Sequence, residues 1–282
     1  MIRDYFYAQK KHLAVLFSII AAGFIAFVFW GVDILPFVVI VVVLTSHLLI
    51  SVQLIRHQKA NDGSLKNHFS IIKRKLSETQ NISGSVLINS YLNPTKPIFQ
   101  WGGSIISSDM GLILIDVMLT KKPKLVLECG SGISTIVTAY VLDRLGDGKV
   151  ISLDHDSKFA TVTRQHIEKH GLEHVAEVVY APLTKLQLDQ RDYIWYSVER
   201  LNTLQEDIDV LFVDGPPRHK EDLTRYPALP LLYSKLKKGG VVIMDDANRL
   251  MESKIIAKWR ELYSFSDVYH HDTQKGTTIF IK

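Results

Sequence analysis

The sequence predicts an α/β protein with a doubly wound sheet, preceded by an N-terminal pair of apolar helices. Three observations predict it. From about Lys122 onward, short apolar runs alternate with helix-compatible stretches, the pattern of a parallel sheet with helices on both faces. Acidic residues stand at the carboxyl ends of those runs: Glu128, Asp154, Asp214, Asp245 and Asp246. The first 55 residues hold two long uncharged segments.

The first segment, Leu13–Trp30, is about 27 Å long as a helix, close to the thickness of bilayer hydrocarbon. The second, Ile34–Ile55, follows after only Gly31, Val32 and Asp33. So short a turn between two apolar helices predicts a transmembrane hairpin over residues 1–55. Phe29 and Trp30 stand where an interfacial aromatic belt would lie. Arg3, Lys10 and Lys11 precede the pair, Arg56 and Lys59 follow it, and the turn has no basic residue. The positive-inside rule puts both ends, and all that follows, in the cytoplasm of a bacterial-type inner membrane. Residues 56–97 read as a basic juxtamembrane linker, solvated or resting on anionic headgroups. Residues 98–282 read as the α/β domain.

Within that domain, an entry helix covers Met110–Leu119. The first strand is Lys124–Glu128, and a helix over Ser134–Leu145 follows, stopped by Gly146–Gly148. The second strand is Lys149–Asp154. Ser157–Gly171 reads as a helix with Ser at its start and Gly at its end. Val175–Ala181, Ile208–Asp214 and Gly239–Asp246 are the third to fifth strands. A helix lies near Leu229–Leu236 and another near Met251–Tyr263. Two strand-like runs close the chain.

In an open parallel sheet, ligands bind beyond the carboxyl ends of the strands, where the strand order switches. The turn "ECGSGIST" lies there, with Gly130, Ser131, Gly132 and Ser134 in reach of a ligand. Glycine lets the backbone approach closely. Asp154 ends the next strand, where a carboxylate can accept both hydroxyls of a ribose, and His155 beside it can line the adenine side. An adenosine ligand follows, either NAD or S-adenosylmethionine. Two details favour the methyl donor. Glu128 stands two residues before Gly130, where an ammonium group can be compensated through backbone or water. The third glycine of G-x-G-x-x-G, which serves packing beside a pyrophosphate, is replaced by Thr135. No P-loop occurs.

On these residues the chain resembles class I S-adenosylmethionine-dependent methyltransferases, from about Ile98 to Lys282. "LVLECGSGIST", "VISLDHD", "VLFVDGPP" and "GGVVIMDDANR" look like their motifs at strands one, two, four and five. With "APL", "WY" and "RYPALPLL" they are similar to the bacterial methyltransferase-24 type. The resemblance implies a Rossmann-like sheet whose C-terminal strand is antiparallel, and S-adenosylmethionine as cofactor.

Methyl transfer needs an aligned acceptor, and a hydroxyl acceptor must also lose its proton. Asp214 and His219, in the loop "DGPPRHKED", are the candidate bases. Asp214, Asp245 and Asp246 together resemble the Mg²⁺ site of catechol-type O-methyltransferases, with Asp-Asp here in place of Asp-Asn. Capping, or an ion pair to Arg249, is the plainer reading of the pair. Trp101 is either a lid over the cofactor or packing for the entry helix. Trp195 and Tyr196 shape an acceptor pocket or fill core.

The resemblance and the hairpin together imply a membrane-anchored methyltransferase acting on an O- or N-acceptor that is lipid-linked or handled at the membrane. An NAD-dependent oxidoreductase on the same core, and a non-catalytic membrane scaffold, are the rival readings. A formal charge of +4 over 282 residues gives no reason to expect nucleic acid, and the one cysteine, Cys129, forbids an internal disulfide.

Overall fold

The second apolar run continues as a helix far past its expected end. In a computed structural model, which describes residues 35–98, 101–103, 105–197, 199, 207–217 and 223–282, helix α1 spans Leu35–Leu92. The chain divides into two units, Met1–Arg74 and Lys75–Lys282. The first apolar run, Leu13–Trp30, and the turn after it lie outside the described residues. Among the described residues, no helix is long and apolar enough to cross a membrane. The transmembrane hairpin is therefore without support in the described structure.

The linker expected over residues 56–97 is corrected too. The chain is helical to Leu92 because no proline falls between Pro36 and Pro94. Asn93 then takes a left-handed conformation, its N–H bonding to Asn89 O, and Pro94 ends the helix. Ile88, Leu92 and Ile98 are buried in the core of the second unit, so residues 75–97 are part of that unit.

The second unit is built on a seven-stranded sheet. Its strands are β1 (Leu125–Cys129), β2 (Lys149–Asp154), β3 (Ala176–Tyr180), β6 (Ile208–Val213), β7 (Leu236–Met244), β8 (Asp267–His271) and β9 (Thr277–Ile281). The order is β3-β2-β1-β6-β7-β9-β8. β1 is flanked in parallel by β2 and β6, with Leu127 opposite both Ile151 and Leu211. β9 runs antiparallel to β7, and β8 to β9, as the resemblance implies. The chain winds outward from β1 to β3 and then returns to β6 on the other side of β1. That places the switch point, and the expected site, between β1 and β6.

Two apolar layers cover the sheet. On one face, α2 (Ser108–Lys121), α3 (Ile133–Leu145) and α4 (Ser157–His170) bury Met110, Leu114, Val137, Val141 and Ile167 against it. On the other, α5 (Ala228–Leu232) and α6 (Leu250–Leu262) bury Leu229, Leu232, Ile255 and Trp259. The N-cap of α4 is Asp156, one residue before the expected serine: its Oδ1 accepts from the N–H groups of Lys158 and Phe159.

One feature has no counterpart in the sequence reading. β4 (Leu183–Leu188) and β5 (Arg191–Tyr196) form a separate antiparallel hairpin. Its two-residue turn, Asp189-Gln190, has φ of 50° and 62°, the geometry usually signalled by Asn-Gly or Asp-Gly. Tyr193, Trp195 and Tyr196 turn inward from β5 and are fully buried.

Candidate functional site

The turn after β1 is shaped by conformation. Gly130 has φ 106° and Gly132 φ 155°, values that a Cβ makes costly. Gly130 N–H bonds to Leu153 O, which closes the turn against β2. Gly132 caps α3, and Gly132, Ile133 and Ser134 face a cavity of about 440 Å³.

Glu128 does not face that cavity. It is fully buried and accepts from the hydroxyls of Ser134, Ser152 and, at 2.7 Å, Thr135. Thr135, at the place of the missing third glycine, also accepts the Gly132 N–H at 3.1 Å. Glu128 thus ties the first turn of α3 to β1 and β2, and any compensation of an ammonium group by it would pass through the backbone or water, not through direct contact. Burial pushes its carboxyl up to about 7, against the three hydroxyl bonds.

Asp154 does line the cavity, at the end of β2. Its Oδ1 accepts the Asp156 N–H at 2.9 Å, and its Oδ2 accepts from Ser131 Oγ at 2.5 Å. His155 Nδ1 lies 3.6 Å from Oδ1. Phe159, Val162, Thr163 and His166 of α4 extend this wall, with Phe159 and Val162 exposed. An apolar shelf beside a carboxylate at a strand end suits a purine nucleoside.

The opposite wall follows β6 and β7. Asp214 N–H bonds to Cys129 O, and Gly215 packs so tightly that a Cβ there would lie 2.2 Å from Tyr196 Oη. Tyr196 lines the cavity; its buried hydroxyl has no hydrogen-bond partner among the described residues. Trp195 belongs to the core. Trp101 packs on Gly111 of α2 and does not line the cavity, so of its two readings the packing one fits. Burial pushes the Cys129 thiol far up, which leaves it no thiolate chemistry. His219 lies outside the described residues.

The three carboxylates expected to meet do meet. Asp214, Asp245 and Asp246 bring one oxygen each within 4.8 Å of one another. Asp246 has φ 60°, a left-handed backbone that Asp tolerates better than most residues. The cluster already contains a cation. Arg225 Nη2 donates to Asp214 Oδ1 at 3.2 Å and Asp246 Oδ2 at 2.8 Å, and Nη1 to Asp245 O at 3.1 Å. Glu252 lies 3.9 Å from its Nε. Arg249 adds a second ion pair to Asp246 at 2.8 Å, so the plainer reading of that acid holds. Burial, with the neighbouring carboxylates, pushes Asp245 up to about 7. Burial also raises Asp214, although Arg225 draws it down.

The cluster keeps oxygens that would suit a divalent ion: among the described residues both oxygens of Asp245 and Oδ1 of Asp246 are buried without a hydrogen-bond partner. Arg225 Nη2 takes one oxygen of Asp214 and one of Asp246 and leaves the second oxygen of each without that contact. Asp245 is fully buried and does not line the cavity, whereas Asp214 and Asp246 do.

Residues 127–247 match the family model described as a methyltransferase domain. The chain carries a methyltransferase domain. No curated protein matches the chain. Among solved structures, the O-methyltransferase TomG from Streptomyces achromogenes, involved in tomaymycin synthesis and in complex with SAM, is similar at 17% identity. There the TM-score is 0.52 over 73% of this chain and 97% of that one. An O-methyltransferase from Bacillus cereus in complex with SAH is 20% identical, with a TM-score of 0.50 over 75% and 97%. The SAH-bound methyltransferase PaMTH1 of Podospora anserina is 17% identical, with a TM-score of 0.51 over 70% and 86%. At these identities the likeness establishes the fold.

Of the expected site residues in this methyltransferase domain, Gly130, Ser131, Gly132, Ser134, Asp154, His155, Asp214 and Asp246 line one cavity. Glu128 and Asp245 do not. Arg225 and Lys275 line it as well and carried no expected role. Arg225 has one signal in the sequence: a charge, eleven residues after Asp214, placed directly before the apolar run "YPALPLL".

Proposed function

We propose that this chain transfers the methyl group of S-adenosylmethionine to a hydroxyl acceptor. The observation that carries the reading is the cavity itself. A glycine turn and helix N-terminus form one wall, Asp154 stands at the ribose position, and Asp214 faces them across the β1/β6 switch point. The titles of the neighbouring structures, two of them O-methyltransferases, support an oxygen acceptor.

In this reading Asp154 accepts from the ribose, and the shelf of Phe159 and Val162 covers the adenine. S-adenosylmethionine bound there would supply the methyl group to the acceptor oxygen and leave as S-adenosylhomocysteine, and Asp214 would take the acceptor proton. Arg225 fixes one Asp214 oxygen; among the described residues the other takes no hydrogen bond and is free to receive that proton. His219, five residues on, is a second candidate base. We also assign residues 13–55 to the membrane and the domain to its cytoplasmic face. Two uncharged runs with basic flanks support this, and an acceptor that is lipid-linked or handled at the membrane follows from the tether.

The test is calorimetric titration of the full chain with S-adenosylmethionine, S-adenosylhomocysteine and NAD, repeated with Asp154→Ala. Binding of the two sulfur compounds, lost in the variant, is the expected result. Binding of NAD alone overturns the reading in favour of an oxidoreductase. No binding by folded protein leaves only a scaffold.

A further inference from the structure

We propose that Lys275, with Arg249 on the same rim of the cavity, receives a phosphate group of the methyl acceptor. On the methyl-transfer reading, on which this depends, the acceptor is then a hydroxyl compound that carries a phosphate, free or in a lipid headgroup.

Lys275 lies in the turn between β8 and β9. Met244 pairs with Thr278, so this turn stands beside the carboxyl end of β7 and its acids. Two backbone bonds hold it there: Ala247 N–H to Gly276 O at 2.9 Å and Asn248 N–H to Lys275 O at 3.1 Å. Gly276 has φ 76° and packs on Asn248 with no room for a Cβ. Lys275 is half-buried and lines the cavity, with Ile105 and Ile106 nearby in the same wall. Its Nζ donates to Ile105 O at 2.9 Å. Among the described residues that is its one side-chain hydrogen bond, and it has no ion pair. An ammonium has three donors, so two are left over. A half-buried charge without a counterion gains from an anion brought to it.

Arg249 follows Asn248 and lines the cavity too. Its Nη1 lies 2.8 Å from Asp246 Oδ2, and its side chain is 53% exposed. The rest of its fork is open to a ligand. Two ammonium donors with a guanidinium edge suit the three oxygens of a phosphate. On this side Arg225, Arg249 and Lys275 line the cavity against Asp214 and Asp246, while Asp245 and Glu252 are buried behind the wall. Arg225 is spent on the two lining acids.

Position assigns the anion to the acceptor and not to the cofactor. β2, which carries Asp154, and β9 stand four strand spacings apart, about 19 Å. With the ribose at Asp154 and the base Asp214 after β6, the acceptor comes in from the β7–β9 side and brings its phosphate to Lys275.

Glycerol 3-phosphate, which carries hydroxyls and one phosphate, is the probe. The full chain in neutral detergent, with chelator present and S-adenosylhomocysteine saturating, is titrated at low salt and read by calorimetry. The wild type is expected to bind with a Kd of about 1 mM, and not to bind glycerol. Lys275→Gln is expected to weaken binding about tenfold or more, and Arg249→Gln about three- to tenfold, through lost charge-assisted hydrogen bonds. Lys275→Arg should stay within about threefold of the wild type. Lys254→Gln, an exposed charge elsewhere on α6, should change nothing. Circular dichroism checks each variant, and if Lys275→Gln does not fold, Lys275→Arg and Arg249→Gln decide. Repeating the titration in nanodiscs of phosphatidylcholine with and without phosphatidylglycerol separates the sources: competition by the anionic lipid assigns the phosphate to a headgroup, and unchanged affinity assigns it to a soluble acceptor. No binding by the folded wild type overturns the inference, as does undiminished binding by a folded Lys275→Gln. Binding that appears only with added Mg²⁺ overturns it too, because it places the phosphate on the carboxylate cluster. Methylthioadenosine lacks the amino-acid tail of the cofactor. If Lys275→Gln weakens S-adenosylhomocysteine tenfold and leaves methylthioadenosine unchanged, Lys275 serves the cofactor carboxylate and the acceptor assignment falls. If S-adenosylhomocysteine does not bind the wild type at all, the methyl-transfer reading fails, and the glycerol 3-phosphate titration without it still reports on the rim.

Discussion

Ser131 Oγ donates to Asp154 Oδ2 at 2.5 Å, across the gap between the glycine turn and the end of β2. The serine hydroxyl thus occupies an acceptor that a ribose hydroxyl would use. Asp154 has no other oxygen to offer freely, because Oδ1 already accepts the Asp156 N–H. The two residues therefore separate in a binding experiment. Asp154→Asn removes a charge-assisted acceptor and is expected to weaken S-adenosylmethionine about 10- to 100-fold. Ser131→Ala frees Oδ2 and is expected to hold affinity within about threefold or improve it. A tenfold loss in Ser131→Ala would mean that the serine itself touches the ligand.

The contact between Gly215 and Tyr196 leads to a second expectation. No Cβ can be placed on Gly215 without meeting the tyrosine oxygen at 2.2 Å and the Cys129 carbonyl at 3.1 Å. Tyr196 is fully buried in β5 and cannot swing into solvent. Gly215→Ala is expected to cost about 1–3 kcal/mol in a chemical denaturation curve, the usual range for overpacking. Tyr196→Phe removes the oxygen and should recover part of that loss in the double variant. Simple additivity of the two changes would show that the contact is not the cause.

Glu128 gives a pH signature. Its carboxyl is pushed up to about 7 from an ordinary 4.5, chiefly by burial. The folded state therefore keeps a proton that the unfolded state releases. Stability from this group is fully present below about pH 4.5 and is lost as the pH rises toward 7. The loss is on the order of 3 kcal/mol. Asp245 is shifted in the same direction, so the useful quantity is the difference between wild type and Glu128→Gln. The glutamine keeps an acceptor for the surrounding hydroxyls and carries no charge. Melting temperatures of the two proteins should converge toward pH 4.5 and separate toward pH 7, with the variant higher. Parallel curves would place the Glu128 pKa near its ordinary value.

The contrast between Asp154 and Glu128 shows what the sequence made legible. Both are acids ending apolar runs, and the strands that carry them lie close to where alternation of apolar runs and helices predicted. Position on a strand decides which side of the sheet's end a carboxylate faces. Asp154 is the last residue of β2 and reaches the cavity, whereas Glu128 is one residue short of the end of β1 and turns into the helix layer. That one-residue difference is a register effect, invisible without the sheet. Arg225 was missed for another reason. It lies on an irregular segment, and only the fold brings it beside acids 11 and 21 residues away. The β4–β5 hairpin escaped because Asp189-Gln190 lacks the glycine that signals such a turn, and the helix over residues 56–92 because its polar composition resembles a linker.

The membrane assignment yields the last expectation. Leu13–Trp30 and Ile34–Ile55 are uncharged runs of 18 and 22 residues, and the proposed hairpin rests on them. A hairpin of two such helices is held by transfer of apolar surface into lipid, and neither high salt nor alkali weakens that term. A basic segment held only at anionic headgroups is held by charge, which salt screens. Membranes from cells expressing the full chain, washed first with high salt and then with alkaline carbonate, should therefore retain it through both steps. A chain lacking residues 1–55 should leave in the first wash or stay in the supernatant. Release of the full chain by salt alone would reduce the anchor to surface electrostatics, and release by carbonate would exclude an embedded hairpin.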